Sequence, residues 1–305
     1  MVNMAAMSKS LLFLTPNPAH PSYAGRWPYV LDGYKAALAG IQVEIFDQPW
    51  PEPVTRDYDL IVPLVAWGYH NTPDEFRAAL QTLPGRLLNP ADIIAWNVDK
   101  RYLKDLAEAG VRIIPTVFLD RLTPEAIEQA RGDFGDALVL KPVFSAGAKN
   151  TLVWRAGETV AFDALEGKAG PPDGEAMIQP FMPAIQSEGE WSLLYFGGAF
   201  SHAVLKTPQP GDFRSQPDYK AHLRALPPPP EALALADAAI DYVGRDRLLY
   251  ARADMVRHID GGFCLMELEL IEPDLYLSYD LEATMRFKDA VEAALEGHHV
   301  AVNLP

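Results

Sequence analysis

Across the first third of the chain, short β-rich runs alternate with helical patterns, and that alternation leaves few folds open. Leu11–Leu14, Val43–Phe46 and Leu60–Val65 read as strands, with a helix over Tyr29–Ala39 that stops at Gly40. Strand–helix–strand order predicts a parallel sheet, because parallel neighbours need a long crossover. Thr72-Pro73-Asp74-Glu75 supplies an N-cap, a proline at the first helical position and an early carboxylate, predicting a helix to about Leu83. Open α/β sheets take ligands beyond their strand C-termini. The segments Thr15 to Arg26 and Trp67 to Asn71 are therefore candidate ligand-contacting loops, with Asn17, His20 and Arg26 as candidate contacts. Trp67, Tyr69 and His70 fit either a pocket wall or aromatic packing beneath a loop.

The pattern then changes. Asn97 is placed to cap a helix to Ala109 with Gly110 as its C′ residue, which puts Lys100 in the first turn. A strand over Val111–Val117, a helix from Pro124, and strands at Ala137–Lys141, Thr151–Trp154 and Met177–Gln179 describe a small α+β lobe. Two hairpins follow. Ser192–Phe196 and Ala199–Leu205 flank Gly197-Gly198, a turn that permits positive φ at both positions. Tyr250–His258 and Phe263–Leu270 enclose Ile259-Asp260-Gly261-Gly262, with helices at Glu231–Val243 before and about Leu281–Leu295 after. The fold class is α/β (α+β).

Charge narrows the partners. The 305 residues carry 26 Lys+Arg against 41 Asp+Glu, a net charge of −15 that repels polyanions, so no nucleic acid is expected. No apolar run approaches the roughly 18 to 20 residues of a membrane span, and Met1 to Ser10 lacks the regions of a signal peptide. Cys264, the single cysteine, lies in the apolar run Phe263 to Met266 and excludes an internal disulfide or a Cys-rich zinc site. These features predict a cytoplasmic protein with a buried thiol.

The densest chemistry is on the second hairpin. Period-two alternation puts Arg252 and Asp254 on one face, and Glu267 and Glu269 on one face. Three carboxylates ending a mostly apolar hairpin suit a hard divalent ion such as Mg²⁺ or Mn²⁺; a solvated face paired with Arg252 or Arg257 fits the spacing equally well. Glu272 and Asp274 follow closely enough to be further ligands, but they flank Pro273 and read as loop. Lys141 precedes Pro142 to Asn150, whose small residues form either a phosphate cradle or an ordinary hairpin loop. Lys206 and Arg214 bracket a Pro- and Gly-rich segment that reads as a lid or as a plain surface loop. No G-x-S-x-G elbow or H-x-x-x-H spacing occurs, and His298-His299 reads as a surface pair.

Taken in order, Lys100, Lys141 with its loop, Gln179-Pro180-Phe181-Met182, Glu190, the Lys206/Arg214 segment, Arg252/Asp254 and Glu267/Glu269 resemble the ATP-grasp superfamily over roughly Asn89 to Pro273. The closing pattern is similar to that of D-alanine:D-alanine ligase and glutathione synthetase, R-x-D, a turn, then E-x-N, except that Glu269 stands in place of Asn. Gly211-Asp212-Phe213-Arg214 is similar to a segment of glutathione-synthetase-like and peptide-tagging ligases. Phe196 to Lys206 and Trp96 to Lys100 also resemble a subgroup that closes O-ureido-D-serine to D-cycloserine.

The resemblance implies three parts: a preATP-grasp domain over 1–95, a small ATP-grasp lobe over 96–181 and a C-terminal lobe with the metal site over 182–305. It implies ATP and Mg²⁺, with Mn²⁺ as an alternative ion. Lys100 and Lys141 would meet the phosphates under the loop Ser145, Ala146, Gly147 and Ala148. Gln179, Pro180, Phe181 and Met182 would bind the adenine edge, and Glu190 the ribose. Asp254, Glu267 and Glu269 would hold metal, and Lys206, Arg214 and Arg252 would serve the reacting groups. The implied reaction is amide-bond formation between a small-molecule carboxylate and an amine through an acyl phosphate, releasing ADP and phosphate. A cyclo-ligase or a small-molecule kinase are alternatives on the same scaffold, and a homodimer is the family expectation. A regulatory module without turnover would be free to lose these residues, and a two-metal nuclease disagrees with the net charge. The substrates themselves are not encoded in any spacing.

Overall fold

The computed structural model describes residues 8–18, 20, 23, 25–147, 150–158, 175–215 and 219–297. Its first sheet is built on β1 (Lys9–Thr15), which is followed by α1 (Trp27–Ala37). With β2 (Val43–Pro49), β3 (Tyr58–Val62) and β4 (Gly85–Leu87) it forms a parallel sheet in the order β2-β1-β3-β4. β1 is apolar on both faces because both are covered. Leu11 and Phe13 pack with Leu31 and Tyr34 of α1, whereas Leu12 and Leu14 pack with Phe76 and Leu80 of α2 (Pro73–Gln81). Thr72 precedes α2 as expected, but its hydroxyl makes no capping bond.

The link to the next lobe is two short helices, α3 (Ala91–Asn97) and α4 (Tyr102–Glu108), where the sequence predicts one. Asn97 ends α3 instead of capping a helix, since its amide is drawn to the backbone of a distant strand: it donates to Leu268 O at 2.8 Å and accepts from Leu270 N at 3.0 Å. The strand expected over Val111–Val117 is also displaced. Ile114 N and Arg112 O bond Leu265, so this stretch follows the edge of another sheet before β5 (Val117–Leu119) begins. Next come α5 (Pro124–Phe134), which Thr123 caps through Ala126 N at 3.2 Å, and strands β6 (Ala137–Pro142), β7 (Leu152–Arg155) and β8 (Ala176–Pro180). They form an antiparallel sheet in the order β5-β8-β6-β7.

After the short helix α6 (Ala184–Ser187), β9 (Glu190–Phe196), β10 (Ala199–Thr207), β11 (His222–Ala225), β12 (Tyr250–Arg257) and β13 (Phe263–Glu269) build an antiparallel sheet in the order β11-β10-β9-β12-β13. One face is apolar. Trp191, Leu193 and Tyr195, with Ala251, Ala253 and Met255, pack against the Ala232, Ala236, Ala239, Ile240 stripe of α7 (Pro230–Val243), whose small residues bring it close. The last helix, α8 (Ala283–Leu295), returns to the first sheet, where Phe287 and Val291 join the core of Leu11 and Phe13.

Candidate active site

The opposite face of the five-stranded sheet carries the charge. Pairs directly opposite in an antiparallel ladder share a face. The pairs Lys206↔Glu190, Asp254↔Ser192, Asp254↔Glu267 and Arg252↔Glu269 therefore lay a polar stripe across β10, β9, β12 and β13. A β-bulge makes it possible. Met255 pairs with Leu265 and Asp254 with Glu267, so Met266 is the extra residue. It reverses the alternation, sending both Leu265 and Leu268 to the apolar core and turning Glu267 and Glu269 to the charged face.

Within the stripe every buried charge has a partner. Lys206, 1% exposed, pairs with Glu190 and approaches Asp254 Oδ1 at 3.4 Å. Burial opposes its charge, but Asp254 and Glu190 hold the ammonium above its ordinary value. Asp254 also accepts from Ser192 and takes three bonds of 3.1 Å from Arg252. Against the cost of burial, Arg252 and Lys206 keep it ionised. Arg252 pairs with Glu269 as well. Glu269 is pushed up to about 7, first by burial, with Arg252 opposing and Glu267 and Asp254 adding repulsion. Lys100 pairs with Glu267 and donates to Ser145 O at 2.9 Å.

A cleft opens between this face and the small lobe. It is lined by Lys100, Lys141, Ser145, Ala146 and Gly147 on one side, by Gln179, Pro180, Phe181 and Met182 at the strand β8 exit, and by Glu190, Arg214, Ser215 and Glu267. Ile114, Val139, Ile185, Phe213 and Met266 give it an apolar wall. Lys206, Arg252, Asp254 and Glu269 are outside the lining and reach it through the ion pairs above. The Lys141 side chain has no ion pair or hydrogen bond among the described residues. Burial, then repulsion from Lys100, lowers its ammonium to about 8, with Glu267 opposing.

One placement differs from expectation and two settle alternatives that the sequence left open. Lys206 is a strand residue inside β10, not a lid cation, because Glu190 and Asp254 anchor it from neighbouring strands. Arg214 does lie on the irregular segment, held by Asp212 at 2.8 and 3.0 Å and stacked 3.8 Å from the Tyr219 ring centroid. Trp67, Tyr69 and His70 do not line the cleft; Tyr69 packs at 5.0 Å on Phe76 in the core, and Trp67 meets Tyr23 and Arg26. Cys264 is buried as expected. Ala148, Lys149, Gln216 and His298-His299 lie outside the described residues.

Two partners went unnoticed in the sequence. Ser192 sits two residues from Glu190, so period-two alternation already put it on the charged face. Ser215, which bonds Glu190, follows Arg214 but carries no pattern of its own.

The donor set suits a hard divalent ion: three carboxylates on one face, one of them raised to about 7 first by burial and then by repulsion from the other two. Among the described residues no three acid, His or Cys side chains converge on one point. The carboxylates are turned toward Lys100, Lys206 and Arg252, with which an ion would compete.

No protein-family model matches the chain. Its sequence is 29% identical over 277 residues to the cycloserine biosynthesis protein DcsG of Streptomyces lavendulae, covering 84% of this chain and 90% of that protein. Among solved structures, D-cycloserine synthetase DcsG is similar with a TM-score of 0.76 at 26% identity, over 94% of this chain and 99% of that one. D-alanyl-alanine synthetase A of Vibrio cholerae gives a TM-score of 0.72 over 97% and 100%, at 15% identity, a likeness of fold. A RimK-domain ATP-grasp protein of Sphaerobacter thermophilus gives 0.62 over 92% and 97% at 16% identity, again a likeness of fold.

Proposed function

We propose that this chain is a member of the ATP-grasp superfamily, an ATP-dependent ligase that forms a C–N bond between a small-molecule carboxylate and an amine. The observation that carries this reading is the meeting, in one cleft, of two lysines with the edge of a carboxylate stripe. Lys100 and Lys141 lie where nucleotide phosphates would be drawn by charge, under the loop of Ser145, Ala146 and Gly147. The apolar wall beside Gln179, Pro180, Phe181 and Met182 suits a flat base, and Glu190 at the cleft edge suits ribose hydroxyls.

Asp254, Glu267 and Glu269 would hold Mg²⁺ or Mn²⁺, which when bound offsets phosphate charge during transfer. Arg252 and Arg214 are the planar donors that orient the phosphorylated carboxylate and stabilise the oxyanion formed on amine attack. Lys206 favours the ionised form of Asp254 and holds Glu190 in place, where burial raises the carboxyl and the ammonium opposes that rise. The chemistry needs no protein nucleophile, in keeping with a stripe that holds only carboxylates, cations and hydroxyls. Phosphate leaves as the amide forms.

An intramolecular version, in which one molecule supplies both carboxyl derivative and amine, is favoured by one observation: likeness to DcsG extends over 90% of that protein. The test is ADP and phosphate release from Mg·ATP across amino acids, dipeptides and ureido or hydroxyamino acids, with mass analysis of products. Loss of one water between two compounds gives a ligase, and loss of small groups within one compound gives a cyclo-ligase. A phosphorylated alcohol gives a kinase and overturns the proposal.

A further inference from the structure

β13 is an edge strand, yet the main-chain groups on its outer side are not left to water. Leu268, which stands between Glu267 and Glu269, spends both outward groups on side chains: its N–H donates to Tyr102 Oη at 2.8 Å, and its carbonyl accepts from Asn97 Nδ2 at 2.8 Å. Two residues on, Leu270 N–H donates to Asn97 Oδ1 at 3.0 Å and its carbonyl accepts from Asn89 Nδ2 at 2.7 Å. Asn97 and Tyr102 are buried, so these bonds do not compete with solvent.

Such an arrangement is unusual for a sheet edge, which is ordinarily blunted by charge, twist or an abutting chain. Here the bonds fall at the one place on β13 where side-chain direction matters, just past the bulge that turns the carboxylates to the site. The same short stretch carries Lys100, whose ammonium pairs with Glu267. One rigid segment thus grips the backbone between two carboxylates and presents the cation that meets one of them.

We propose that Asn97 and Tyr102 are positioning residues that fix the backbone of Glu267 and Glu269 for a divalent ion, an inference that rests on the reading of those carboxylates as metal ligands. They touch neither ion nor substrate and act through the backbone, Tyr102 on Leu268 and Asn97 on Leu268 and Leu270. Partners one step removed from a metal typically change its affinity about 10- to 100-fold when lost.

Mn²⁺ binding, followed by electron paramagnetic resonance in the presence of ADP well below the melting temperature, tests this without turnover. Tyr102→Phe removes only the hydroxyl and keeps the ring packed on Trp96; Mn²⁺ affinity should fall about tenfold. Asn97→Asp, which loses the donor to Leu268, should fall at least as far. Tyr250→Phe is the control: it deletes a buried hydroxyl bond of 2.8 Å to Ile271 O, beyond the carboxylates, and should bind Mn²⁺ as the parent does. Glu267→Gln tests the underlying reading. If it binds as the parent does, the metal assignment fails and this inference falls with it. If Glu267→Gln weakens binding but Tyr102→Phe does not, or if Tyr250→Phe weakens it equally, positioning by the clamp is overturned while the metal assignment stands.

Discussion

Arg252 and Glu269 stand directly opposite each other across the β12–β13 ladder and form an ion pair. Where similar ligases carry an asparagine, this chain carries a carboxylate, and the guanidinium that also grips Asp254 absorbs the added charge. Glu269→Asn should therefore fold normally, because Arg252 keeps Asp254. Its dependence on Mg²⁺ should shift to about tenfold higher concentration through the loss of one anionic donor. Metal titrations of ATP turnover read this directly. An unchanged Mg²⁺ requirement would make Glu269 a counter-ion to Arg252 and nothing more.

Lys206 is the centre of the most buried ionic network among the described residues, with its side chain 2% exposed between Glu190 and Asp254. Removing one partner of such a pair leaves the others uncompensated in a low-dielectric setting. Lys206→Met should cost on the order of 3 kcal/mol or more, seen as a lower urea midpoint. A loss below about 1 kcal/mol would be typical of an exposed pair and would contradict the burial described.

The parallel sheet, both glycine-turned hairpins and the order of charged residues were legible because each rests on local spacing. β1 reads as a buried strand since its neighbours on both faces demand apolar residues, and Gly197-Gly198 reads as a turn since few other pairs reach φ of 57° and 72°. The bulge at Met266 was not legible: an apolar run shows no phase, so the reversal that turns Glu267 and Glu269 to the site appears only in the pairing with Met255 and Asp254. Asn97 misleads for a related reason. A cap and a clamp to a strand some 170 residues away need the same side chain, and nothing nearby in sequence separates them. Lys206 reads as a loop cation because its partners, Glu190 and Asp254, lie on two other strands.

The turn after β9 leaves no room for a side chain. Gly198 has φ of +72°, and a Cβ there would lie 2.2 Å from the carbonyl oxygen of Arg245. Gly211 has φ of +85° but faces open space. Gly211→Ala should show the backbone strain alone, of order 1 kcal/mol, and Gly198→Ala clearly more, because backbone must also move. Thermal melting of the two variants separates the terms. Equal losses would mean that Arg245 yields at no cost.

If Lys141 meets the nucleotide phosphates as proposed, it sets a pH limit on their binding. Burial and the neighbouring Lys100 lower its ammonium to about 8, below the ordinary 10.5, despite attraction from Glu267. The folded value lies below the unfolded one, so the charged form costs stability below about pH 8, and stability of the ligand-free protein rises with pH between about 8 and 10.5. Phosphate attraction runs the other way, since it needs the charge. Calorimetric affinity for Mg·ADP should therefore hold from pH 7 and decline as pH rises through about 8. Lys141→Arg, whose guanidinium stays charged, should flatten that decline even if its absolute affinity is lower. A parent profile that stays level to pH 9.5 would remove Lys141 from contact with the phosphates.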